Sequence, residues 1–161
     1  MISKLDSHKI NYHPKEIADM FAGKLEAPIY VEISPTGICN HKCLFCHYNY
    51  LGHEGKFQKG KIPELIKEFA QMGVKSLVFA GNEEPTLHVD TIESIQLSKE
   101  LGLDVALSTN GALLKERHFE DLAKKPTWNT NFLLMPGSSE NYCLCSSNQK
   151  GRNLIKVVEN F

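Results

Sequence analysis

The sequence predicts an α/β fold built on parallel strands, and three observations carry that reading. Short runs rich in β-branched and aromatic residues alternate three times with helical stretches over residues 28–125. Such alternation joins parallel strands through right-handed crossovers. The largely apolar run over 74–80 suits a strand buried within a parallel sheet. Finally, each of three distinctive loops follows a strand end, and α/β sheets gather their ligands at the carboxyl ends of their strands.

In chain order, residues 1–13 are polar and expected to be loosely ordered. Residues 14–22 predict a short helix, with Pro14 in its first turn, Gly23 just past its end, and Ile17, Met20 and Phe21 on one face. Residues 28–34 predict the first strand, which Pro35 and Gly37 end. A helix over 63–72 follows, stopped by Gly73, with Leu65, Ile66, Phe69 and Met72 as its buried stripe. After the second strand, Asp90 and Glu93 suggest a capping box for a helix running to about Leu101. Residues 103–108 predict a third strand and Thr109, Asn110 and Gly111 a tight turn, before a helix over 115–124.

The bulk properties narrow the function. A chain of 161 residues suffices for one domain with a real core. Its net charge of −1 gives no argument for a nucleic-acid partner or an anionic membrane. No apolar run is long enough to span a bilayer and no signal core opens the chain, which predicts a cytoplasmic protein. Five cysteines is an odd number, and clustered thiols in a reducing compartment bind metal or do redox chemistry.

Three of the thiols form the organising feature: Cys39, Cys43 and Cys46, spaced C-x3-C-x2-C directly after the first strand. Thiolates are the soft ligands that iron–sulfur clusters and zinc prefer. A zinc site with His41 or His47 as fourth ligand is the plain alternative. Phe45 can shield such a centre from water. The second strand ends in Gly81, Asn82, Glu83, Glu84 and Pro85, which alone reads as a solvated acidic loop. His88 reads as a helix-entry residue, His47, Tyr48 and Tyr50 as packing, and Cys143 and Cys145 as incidental thiols.

The cysteine motif, with its aromatic residue before the last cysteine, resembles the signature of the radical S-adenosylmethionine superfamily. The resemblance implies a partial (β/α) barrel in which Cys39, Cys43 and Cys46 hold a [4Fe–4S] cluster. The iron without a cysteine would chelate S-adenosylmethionine, and reductive cleavage would release a 5′-deoxyadenosyl radical that abstracts hydrogen from a substrate. The Gly81–Pro85 stretch is similar to the family's Gly-Gly-Glu-Pro motif, which implies that Gly81, Glu83, Glu84 and Pro85 meet the cofactor, Glu84 through the methionine ammonium. Asn110 corresponds to the family's third-strand end near the cofactor. Residues 39–111 look most like the branch that holds molybdenum-cofactor enzyme A and peptide-modifying enzymes. A small-molecule or peptide substrate and an electron donor such as flavodoxin or ferredoxin are implied partners.

The likeness weakens after Lys125. The organisation expected is an extension with a short helix over 1–27, the core over 28–125 and an irregular continuation over 126–161. A fourth strand is expected over 132–135, within a polar, aperiodic stretch that suggests a reading-frame disturbance; an amphipathic helix over 154–161 closes the chain. Four strand–helix units at most, against the family's barrel of about six, predict a truncated barrel. A non-catalytic fragment that keeps the cluster motif is therefore a second reading beside the enzyme, and a zinc-binding module a third.

Overall fold

The computed structural model describes residues 13–24, 27–43, 46, 55–115, 118 and 129–132. Within them four strands, β1 (Tyr30–Ile33), β2 (Ser76–Phe79), β3 (Asp104–Thr109) and β4 (Asn129–Phe132), form one sheet in chain order. Every neighbouring pair is parallel. Helix α1 (Pro14–Phe21) precedes β1, α2 (Lys61–Met72) links β1 to β2, and α3 (Thr91–Glu100) links β2 to β3. The α/β class and the parallel sheet expected from the sequence are what the chain adopts.

Register explains the core. Val31, Leu77 and Val105 align across three strands, and Ile33, Phe79 and Leu107 form the next row on the same face. Ile62 and Ile66 of α2 and Ile95 of α3 close over these rows. Each such side chain taken out of water contributes about 1.5–3 kcal/mol. A rigid layer thus lies under the loops that leave β1, β2 and β3.

Several sequence expectations are corrected here. The buried stripe of α2 is Ile62 and Ile66, supported by Phe69 and Ala70, whereas Met72 is 53% exposed at the helix end. Helix α2 starts at Lys61, so Pro63 sits in its first turn, where a missing N–H costs nothing. The apolar face of α1 is not buried: Met20 is 45% and Phe21 83% exposed. Asp90 does not cap α3, because its own backbone is already helical and a capping side chain needs extended backbone. Its Oδ2 instead accepts from the Gly60 N–H at 2.6 Å, tying the start of α3 to the start of α2.

The fourth strand also differs. Among the described residues it runs over Asn129–Phe132 and pairs with Ala106 to Thr109, so it begins before the expected 132–135, of which 133–135 lie outside the described residues. The ladder uses backbone groups, so a stretch in which Asn129 and Asn131 disfavour a strand still pairs when a parallel neighbour offers its edge. The expectations for residues 1–12, Phe45, His47, Tyr48, Tyr50, the bulk of the 115–124 helix, Cys143, Cys145 and the 154–161 helix lie outside the described residues.

Candidate cofactor site

The loops after β1, β2 and β3 leave the same end of the sheet, because the three strands run parallel. An isolated antiparallel bridge between Thr36 and Lys56 closes the base of the cysteine loop, backed by the Phe57 N–H on the Pro35 carbonyl at 3.1 Å. His88 secures that base from below. Its Nδ1 accepts from the Asp90 N–H at 3.2 Å, so Nε2 carries the proton and donates to the Phe57 carbonyl at 2.9 Å. The helix-entry role read for His88 thus extends to holding the thiol loop.

Cys39, Cys43 and Cys46 are partly buried and form no disulfide among the described residues. The Cys46 N–H donates to the Cys43 carbonyl at 3.0 Å, which brings the backbone of the last two cysteines together. Cys39 Sγ accepts from the His41 N–H at 3.3 Å and lies 4.0 Å from Asn110 Nδ2. Burial pushes the Cys39 thiol up to about 11, the His41 N–H opposes that, and Glu84, Cys43 and Cys46 add to it. His41 is 4% exposed and burial lowers its pKa. Among the described residues no three His, Cys, Asp or Glu side chains stand close enough to hold a metal ion. Geometry therefore does not decide between zinc and iron–sulfur; the donor set, three soft thiols on one loop at the carboxyl end of a parallel sheet, fits a cluster with one position open.

The two carboxylates of the second loop have different surroundings. Glu84 is 1% exposed. Its Oε1 accepts from the Thr86 N–H at 3.1 Å and from the hydroxyls of Thr86 and Thr109, each at 2.5 Å. Its Oε2 accepts from the Asn110 N–H at 2.7 Å. The Glu84 N–H in turn donates to the Ile38 carbonyl at 3.1 Å, next to Cys39. One residue thereby ties together all three strand-end loops.

Glu83 folds back over Gly81, where a methyl group would collide with Glu83 Oε2. That oxygen accepts from the Ser34 hydroxyl at 2.7 Å. Glu83 Oε1 is buried and has no partner among the described residues. Burial pushes the carboxyl up to about 7, against the Ser34 and backbone bonds that lower it, and the Glu84 charge adds to the rise.

A folded value near 7 against the ordinary 4.5 means that folding favours the protonated acid. That contribution is complete below pH 4.5 and is lost as the pH rises through 7. Glu83→Gln is accordingly expected to stabilise the fold at pH 8 by about 1 kcal/mol, well under the full linkage value because the group is half-exposed and screened. Near pH 4.5 the gain should vanish. Urea unfolding of both proteins at the two pH values checks this; an equal gain at each would sink it.

With these loops in place, the comparisons with known proteins are decisive. The model of the Radical SAM superfamily matches residues 33–136. The chain belongs to the radical SAM superfamily. Membership of this enzyme superfamily implies a [4Fe–4S] cluster and S-adenosylmethionine as cofactors.

Among relatives, the chain is 42% identical over 106 residues to the GTP 3′,8-cyclase of Aquifex aeolicus, covering 61% of this chain and 33% of that one. A probable GTP 3′,8-cyclase of Saccharolobus solfataricus is 37% identical over 102 residues, covering 61% of this chain and 31% of that one. The chain thus spans about a third of the length of the curated relatives it matches. Among solved structures, Streptococcus suis SuiB bound to S-adenosylmethionine superposes with a TM-score of 0.67 at 22% identity, over 93% of this chain and 35% of that one. A second, anSMEcpe with bound S-adenosylmethionine, gives 0.64 at 22% identity over 83% and 40%. These structural likenesses carry the radical SAM fold.

The structure brings most of the sequence-derived site together. Glu84 and Asn110 are bonded to each other, and Asn110 reaches Cys39. Gly81 and Glu83 pack against each other beside Ser34 at the end of β1. Pro85 opens a short 3-10 turn that Glu84 caps. Ser34, Asn40 and Thr86 are site residues that the sequence reading does not single out. Hydroxyl and amide residues at strand ends are common enough to carry no signal alone; Thr109 is legible only as part of the turn with Asn110 and Gly111, and its bond to Glu84 is what the structure adds.

Proposed function

We propose that this chain carries the cluster and S-adenosylmethionine site of a radical SAM enzyme. In this reading Cys39, Cys43 and Cys46 hold the [4Fe–4S] cluster. When bound, the cluster supplies the electron that cleaves the sulfonium and starts hydrogen abstraction from the substrate. Of the two carboxylates, Glu83 has the oxygen left for the methionine ammonium, since Oε1 is buried and unpartnered among the described residues. Both oxygens of Glu84 are engaged, so Glu84 shapes the site by holding the loops. Gly81 keeps the floor low enough for close approach, and Asn110 borders the thiols.

The observation that carries this reading is the joining of all three strand-end loops through Glu84, beside a loop of three thiols. The names of the relatives favour a purine nucleoside triphosphate as substrate, which would place the reaction in the cyclising branch. A low-potential donor of the flavodoxin or ferredoxin kind would deliver the electron.

Anaerobic reconstitution with iron and sulfide, then reduction in the presence of S-adenosylmethionine, tests the proposal. The expected result is a brown protein that releases 5′-deoxyadenosine, faster with GTP present. A colourless protein carrying one zinc would overturn it. A brown protein that leaves S-adenosylmethionine intact would instead favour a non-catalytic fragment.

A further inference from the structure

Asn110 sits where the third loop meets the cysteine loop, and its amide is fixed in direction. Its Oδ1 accepts from the Ala112 N–H at 3.0 Å, closing a turn of its own loop. That leaves the Nδ2 hydrogens aimed the other way, at Asn40 Oδ1, 2.8 Å away, and at Cys39 Sγ, 4.0 Å away. The backbone N–H of Asn110 is anchored on the buried Glu84 carboxylate at 2.7 Å, so the residue cannot drift along the sheet end. The positive φ of 73° at Gly111 lets the chain turn immediately afterwards. Every polar group of the side chain is thus assigned, and the amide hydrogens face the first thiol of the motif.

We infer that Asn110 is a positioning residue that directs an N–H at the Cys39 sulfur and so raises the reduction potential of the cluster held there. The inference rests on the cluster reading above. Its physical basis is charge: an N–H dipole on a ligating sulfur stabilises the more negative, reduced cluster more than the oxidised one. Cys39 already accepts one such bond from the His41 backbone, so the side-chain amide supplies the second and the only one of the two that substitution can remove.

Two variants and one isotope measurement test it on the reconstituted full chain. Asn110→Ala removes the donor, and Asn110→Asp keeps the shape and the Ala112 contact while replacing the donor with an acceptor. Asn110→Ala should disfavour reduction by roughly tenfold, about 59 mV toward more negative potential for one electron, and Asn110→Asp, which also adds a negative charge, by more. A residue that only shaped the loop would lower iron content and leave the potential where it is. Exchange into heavy water should shift the Fe–S(Cys) stretching bands more in the wild-type protein than in Asn110→Ala, which leaves only the His41 N–H directed at the Cys39 sulfur. Unchanged potentials or equal isotope shifts in loaded variants overturn the inference, as do unshifted wild-type bands should the variants fail to load. Failure of the wild-type chain to take up a cluster overturns the reading beneath it instead.

Discussion

Cys39→Ser, Cys43→Ser and Cys46→Ser, each made alone, are expected to abolish cluster loading and 5′-deoxyadenosine formation. The loss should exceed about a hundredfold, because changing mere neighbours of metal ligands already costs 10–100-fold. Three thiols make up the whole protein contribution in this reading, so none can be spared. Serine keeps the volume and removes the soft donor, which separates ligation from packing. The effect should also be specific: Cys143→Ser and Cys145→Ser should load and react as the wild type does. Iron and sulfide analysis with visible absorption, followed by chromatography of 5′-deoxyadenosine, reads all five proteins. A single-cysteine variant that still loads fully would remove that thiol from the site.

The pH dependence of loading adds a check. Desolvation holds the Cys39 thiol at about 11, so metal uptake must displace its proton. Loading should therefore strengthen as the pH rises from 7 to 9, and a flat response would argue that Cys39 is not a ligand.

The legible and illegible parts of this chain differ in the kind of physics involved. The strands and helices up to Thr109 were readable because periodicity and Gly or Pro stops agree with the packing that follows. The thiol loop was readable because soft ligands at that spacing have few other uses. Misreadings came where a tertiary contact outbid a local rule. Asp90 looks like a cap in sequence, yet Gly60 takes its carboxylate. Asn129 and Asn131 are poor strand formers, yet β3 recruits them as a neighbour. The division of labour between Glu83 and Glu84 was hidden for the same reason. Adjacent carboxylates are indistinguishable until Thr86, Thr109 and Asn110 are seen to claim one, and Ser34 to hold the other by a single oxygen.

That division yields the largest stability effect expected here. Glu84→Ala should destabilise the fold by about 3–5 kcal/mol, because several buried neutral donors lose their acceptor at about 1–3 kcal/mol each. The substitution strands the Asn110 N–H and the Thr109 hydroxyl in a buried setting, and it frees the Thr86 donors that close the 3-10 turn. Glu84→Gln should cost less, about 2 kcal/mol, since one oxygen remains while an NH2 group comes to face a donor. Thr109→Val, which removes one donor and leaves the carboxylate its other bonds, should cost about 1 kcal/mol. Against a typical domain stability of about 5–15 kcal/mol, the alanine variant approaches the unfolding threshold. Urea denaturation of the protein before reconstitution isolates this structural role from any contact with cofactor. The order Ala, then Gln, then Val is the expected result. If Glu84→Ala unfolds at the wild-type midpoint while S-adenosylmethionine binding collapses, Glu84 belongs to the ligand and the strap between the three loops is not what holds them.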